Sequence, residues 1–159
     1  MKKQILLLVC LFASFSLISQ VKEEACLMSL GKQAAFVIDH EGADKKMVIN
    51  VLEETFKDFG KVKKNKKSKE YVCEECLAPL VSPNPINIYI KGEEGKNRFT
   101  TYILFDDGEK FIDSSNDPEK AQVISELLQN MAYDVQREVI KKELEEEEDK
   151  LKDFEKDLS

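Results

Sequence analysis

Apolar residues recur along this chain as one unbroken run and two periodic patterns, and each predicts a different element. Lys2 and Lys3 precede a nearly continuous apolar run over residues 5–18, followed by Ser19 and Gln20. That charged–apolar–small order is the pattern of a secretory signal peptide over residues 1–19, cleaved after Ser19. The run of about fourteen residues falls short of the roughly 20 that span a bilayer. Cys10 lies inside the run, and Cys26 follows Glu23-Glu24-Ala25, so neither has the small apolar tripeptide of a lipid-modified cysteine. Residues 20–32 show no clear period and predict an irregular arm.

Residues 34–40 are short, apolar and bounded by Gly42, which predicts a first strand. Over residues 43–59 the period lengthens. Val48, Val51, Leu52, Thr55, Phe56 and Phe59 share one helical face, and Gly60 suits the left-handed position past a helix end. Residues 69–77 predict a strand closed by Pro79, Pro83 and Pro85, which cannot donate to a central ladder. Ile86, Ile88 and Ile90 then alternate with Asn87, Tyr89 and Lys91, as in a half-buried antiparallel strand. Residues 93–97 turn the chain, and Phe99, Thr101, Ile103 and Phe105 run back on one side. Asp107-Gly108 signals a tight turn into a short strand over residues 110–112. The fold class expected is α+β: an antiparallel sheet of four to five strands in β-α-β-β-β-β-α order, with the helices on one face.

The final helix has a well-marked start: Asp117 to cap free amides, Pro118 for the first helical position, and Glu119 near the positive end. Val123, Ile124, Leu127, Leu128, Met131, Val135, Val139 and Ile140 form a wide apolar stripe. Beyond it the apolar positions thin to Leu144, Leu151, Phe154 and Leu158. With Ile140 these fit a seven-residue repeat in which Glu147 occupies a seam position. A helix over residues 118–158 measures about 60 Å, whereas a body of roughly 105 residues is about 33 Å across. Residues 141–159 therefore form a charged helical extension that overhangs a domain of residues 33–140.

Charge narrows the partners. The formal charge of −7 becomes −9 once Lys2 and Lys3 leave with the signal peptide, and an acidic chain repels phosphate backbones, which argues against nucleic acid. Seven lysines fall within residues 57–69 and six acids within 143–149. These are either solvated surfaces or opposite patches that meet, within one molecule or between two. Nothing after the signal peptide is long and apolar enough for a membrane segment.

Candidate chemistry is sparse. Cys73-Glu74-Glu75-Cys76 has the spacing of a redox motif, but Pro79 follows where a helix should begin, and two glutamates would raise the thiol pKa. Cys26, His40, Cys73 and Cys76 together have the donor set of a zinc site, although a lone Cys-x-x-Cys signals zinc weakly. In an oxidising compartment one structural disulfide is expected, either between Cys73 and Cys76 or from Cys26 to one of them. A chain with one histidine and no Gly-x-Ser-x-Gly turn offers little for hydrolysis, and no Gly-rich phosphate loop or calcium-loop spacing is present. No catalytic, cofactor-binding or metal residue is assigned, and no enzyme is expected.

The signal peptide ending Ser-Gln is similar to those of a group of uncharacterised exported proteins from Gram-negative bacteria. Residues 28–33 (Met-Ser-Leu-Gly-Lys-Gln), 42–46 (Gly-Ala-Asp-Lys-Lys) and 67–70 (Lys-Ser-Lys-Glu) also resemble that group. The resemblance covers most of the chain. It implies a small α/β body with a coiled-coil-like C-terminal helix, and it carries no catalytic motif. A non-enzymatic protein of the periplasm or exterior is therefore expected. Its helix meets a protein partner or another copy of itself through Leu144, Leu151, Phe154 and Leu158. The alternatives are a lipid or small-molecule module, with Phe36, Tyr71, Ile88, Phe99, Ile103 and Phe105 lining a pocket between sheet and helix, or a thiol-redox or zinc protein.

Overall fold

The computed structural model describes residues 21–157; the expected signal peptide and Leu158 lie outside them. Among the described residues six strands and two helices follow one another: β1 (Lys22–Met28), β2 (Gly31–Glu41), α1 (Lys45–Phe56), β3 (Lys63–Lys64), β4 (Tyr71–Cys76), β5 (Ile86–Gly95), β6 (Arg98–Asp106) and α2 (Pro118–Asp157). All pairings are antiparallel, in the order β1-β2-β6-β5-β4-β3. The α+β class holds, but the sheet has six strands rather than four or five.

The difference arises at the edges. Residues 20–32, expected to be irregular, contain β1, which pairs with β2 from Lys22↔Val37 to Met28↔Gly31. An edge strand buries little, and only Cys26 and Met28 of β1 are buried, so the alternation is too weak to see beside Lys22, Glu23 and Glu24. Gly31 closes that hairpin at φ 94°, a backbone region closed to most side chains. At the far edge two residues of the lysine run, Lys63 and Lys64, pair with β4. The strand expected over residues 110–112 reduces to a single bridge, Asp106↔Phe111. Between β5 and β6 the turn is tighter than expected: the strands pair out to Gly95↔Arg98, and Asn97 takes φ 56°.

Strand alternation sends Phe36, Ile38, Ile88, Ile90, Ile103 and Phe105 to one side of the sheet. There they form a common core with Leu52 and Phe56 of α1 and Ile124, Leu128 and Met131 of α2. Phe36 meets Phe105 edge-on with ring centroids 5.9 Å apart. The opposite face carries no helix, yet Cys26, Met28, Ala35, Val37 and Leu104 are buried there against Tyr89, Tyr102 and Phe111. The sheet curls to cover them. Lys91 Nζ on β5 donates to the Leu27 carbonyl of β1 at 3.4 Å, and the amide and hydroxyl of Ser29 donate to the Glu70 carboxylate at 2.8 and 2.5 Å. Strands that are not sheet neighbours thereby touch.

α1 starts where the Asp44 side chain accepts from the Met47 amide at 2.9 Å, and ends at Phe56, three residues short of the expected Phe59. Gly60 is not left-handed. Its place is dictated by packing instead: a Cβ there would lie 2.9 Å from Cys73 Sγ and 3.2 Å from Cys76 Sγ. Among the described residues no helix is long and apolar enough to cross a membrane.

Candidate interaction helix

α2 runs for 40 residues, about 60 Å. Its start is held from several directions. The Asp117 side chain accepts from the Lys120 amide at 3.3 Å, while Lys120 Nζ lies 2.8 Å from Asp107 and 3.3 Å from Asp117. Partial burial pushes the Asp107 carboxyl up, but the Lys120 ammonium and the amides of Lys110 and Glu109 outweigh it, leaving its pKa below the usual range. A hydrogen bond from the Ser115 hydroxyl likewise draws the Asp113 carboxyl down, against partial burial and with help from the amides of Ser115 and Asn116.

Ala121, Ile124, Leu128, Met131, Ala132, Val135 and Val139 are buried along the inner face of α2. Burial stops there. Every residue from 140 to 156 is exposed, a stretch of about 25 Å. Lys142 still lies 3.8 Å from Asp44. Farther out the ion pairs are internal to the helix: Glu147 with Lys150 at 2.7 Å, Asp149 with Lys152 at 3.0 Å and Asp153 with Lys156 at 3.0 Å. Each places the acid before the base at i,i+3, the order that agrees with the helix dipole. These pairs support an unpacked helix in water.

The three expected interaction residues within the described chain stand in this stretch, Leu144 at 58 %, Leu151 at 59 % and Phe154 at 67 % exposure. Ile140, placed by the sequence on both the inner stripe and the seven-residue repeat, is 54 % exposed and belongs to the repeat. At about 100° per residue, this row sits roughly a third of a turn round from the buried face. It is therefore a second apolar strip and not the frayed end of the first. Two members were missed from sequence: Tyr133, 41 % exposed, and Arg137, seven and three residues before Ile140. The repeat itself, extended backwards past the domain boundary, would have found both.

The three described cysteines divide between the two faces of the sheet. Cys73 and Cys76 are joined as a buried disulfide, and Cys26 is free and buried. Residues three apart reach the same face because the β4–β5 register shifts between them and Glu75 takes φ 51°. Burial raises the Cys26 thiol pKa; Lys91 opposes this and Glu93 and Glu70 add to it, which makes a poor nucleophile. His40 is buried on the helix-covered side, its Nε2 3.1 Å from Thr101 Oγ1. Cys26 faces the other side, so the four expected zinc donors do not converge. Among the described residues no group of His, Cys, Asp and Glu is placed to hold a metal ion.

Of the residues expected to line a pocket, Phe36, Ile88, Phe99, Ile103 and Phe105 are buried side chains of the core, and Tyr71 is half-buried against it. A groove of about 640 Å³ does exist, but it lies between α1 and α2, floored by Met47, Val51, Leu127 and Met131. The lysines of residues 57–69 lie at the β3–β4 edge and its approach, and the described ion pairs of the acidic stretch do not involve them. Compared with known proteins, the chain matches no family model, no curated protein and no solved structure.

Proposed function

We propose that this chain is an exported, non-enzymatic interaction protein of the cell envelope, acting through the overhang of α2 on a protein partner or on another copy of itself. One observation carries this. A row of large apolar side chains (Ile140, Leu144, Leu151 and Phe154) stands exposed on the stretch of α2 where every described side chain faces water. Apolar area kept exposed costs roughly 25 cal/mol per Å², and a solvated spacer would have no use for it. Spacing of four, seven and three residues, with Glu147 at the intervening position, is that of a helix presented to another helix. Export is supported by the N-terminal apolar run and by a disulfide, which persists in oxidising compartments.

The test compares the mature chain with a Leu144→Ser/Leu151→Ser/Phe154→Ser variant, by light scattering over a concentration series and by capture from envelope extract. Loss of either self-association or a captured protein in the variant is the expected result. Identical behaviour of the two proteins in both measurements rejects the proposal.

A further inference from the structure

Resting on that helix-mediated reading, we infer that the partner is a second copy of this chain, whose overhang lies antiparallel against the first with Ile140 of each copy facing Leu151 of the other. The exposed row, in order, is Tyr133, Arg137, Ile140, Leu144, Glu147, Leu151 and Phe154, alternately four and three residues apart. Two of its members are charged, and they select the geometry. In a parallel, in-register pair every row residue meets its own copy. Arg137 would then face Arg137 and Glu147 would face Glu147 inside the seam, with Glu143 beside Glu148 on the flanks. Like charges brought together in a seam are destabilising.

Turning one helix over removes these conflicts. With Ile140 against Leu151, Leu144 of each copy meets Glu147 of the other, and Arg137 meets Phe154, a guanidinium over an aromatic ring. Lys150 already stands 2.7 Å from Glu147 in its own chain and stays beside it, which lowers the cost of an acid in the seam. On the flanks Lys141 meets Glu148 and Glu143 meets Lys150. A two-fold axis repeats both contacts, giving four opposite-charge pairs. The antiparallel registers one heptad to either side both set like charges together on the flanks: one puts Lys150 against Lys150 and Glu148 against Glu148, and the other, although it pairs Arg137 with Glu147, puts Lys141 against Lys141, Glu143 against Glu143 and Asp134 beside Glu148. Asp134 and Glu155 do approach in the chosen register, but at its solvent-screened ends, where Arg137 lies 2.8 Å from Asp134.

The structure leaves room for this pairing. Tyr133 and Arg137 lie where α2 still rests on the sheet, yet their outward face is open: Tyr133 is 41 % exposed and the Arg137 side chain 78 %. The row is therefore open to a second helix past Ile140, at Arg137 and Tyr133. The overlap, from Tyr133 to the end of α2, covers about 37 Å. That length matters, because a coiled coil confined to the overhang would be marginal.

Charge reversal tests orientation directly. Sedimentation equilibrium of the mature chain at low salt should show a concentration-dependent dimer. Glu143→Lys replaces two Glu143–Lys150 attractions with repulsions and should weaken dimerisation about tenfold. The double variant Glu143→Lys/Lys150→Glu should return to within about twofold of the native value. If Glu143→Lys tightens the dimer, as a parallel pair with Glu143 beside Glu148 requires, the inference is overturned while self-association stands. A native chain that stays monomeric at all concentrations also overturns it; capture of another protein by the overhang, measured separately, would still uphold the broader proposal. All these substitutions lie on exposed helix, so unfolding of the body does not confuse the outcome.

Discussion

His40 shows how one buried side chain sets a property of the whole protein. Burial lowers its pKa to about 4, with Asp39 opposing, against an ordinary value near 6.5. Between those values the unfolded chain binds a proton that the folded chain does not, so stability rises with pH through that window and is flat above it. The chain has one histidine, and the lowered carboxyls of Glu93, Asp107 and Asp113 add to the slope only below about pH 5, so the upper part of the window belongs to His40. Stability should fall by about 3 kcal/mol from pH 7 to pH 4 on this account, and His40→Gln should flatten the slope between pH 4 and 6.5. Urea melts at half-unit pH steps check it; an unchanged slope in the variant rules His40 out as the source. A second residue-scale expectation concerns sulfur. A chain of residues 20–159, purified without reductant, should show no thiol reactive to a water-soluble reagent while native, one (Cys26) on unfolding and three after reduction. Two or three thiols before reduction would mean that Cys73 and Cys76 are not joined.

Element by element, legibility follows burial. β5 and β6 could be read from the sequence because Ile86, Ile88 and Ile90, and Phe99, Ile103 and Phe105, bury one face under the helices and leave more polar neighbours on the other. The start of α2 could be read because Asp117-Pro118 is a local signal. β1 could not, since an edge strand carrying Lys22, Glu23 and Glu24 gains its place only from pairing with β2. Glycine was the least legible. Gly60 looks like a helix terminator, but it is required by the two sulfurs beneath it. Gly92, inside β5, lies under the Phe99 ring, where a Cβ would come within 2.3 Å of Cζ. Gly92→Ala should therefore displace a buried ring and cost about 1–3 kcal/mol, read as a lower urea midpoint. A variant as stable as the native chain would show that Phe99 has room to move.

For the molecule as a whole, body and overhang should behave as separate parts. Residues 141–156 include no buried side chain and meet the body through the exposed Lys142–Asp44 pair, so removing 141–159 should leave the melting temperature of dilute protein within about 2 °C. The two helices supply 12 and 40 helical residues, of which residues 141–157 account for about a third. The circular dichroism signal at 222 nm should fall by roughly that share. A large drop in melting temperature would instead mean that the overhang folds back on the body.

Periodicity alone settled the class of fold, the central hairpin, the spacing of Leu144, Leu151 and Phe154, and most of the inner face of α1, where it missed the buried Ile49, because each depends on residues close in sequence sharing one face. Tertiary structure decided the rest. Curling of the sheet brought Ser29 to Glu70 and buried a second apolar face with no helix upon it. A register shift brought Cys73 and Cys76 to the same side and left Cys26 on the other. The side of α2 that meets the body, and the last buried position on it at Val139, determined which apolar positions of α2 are core and which face water. Contacts of that kind join residues far apart in the chain, and no local pattern of polar and apolar positions encodes where such surfaces meet.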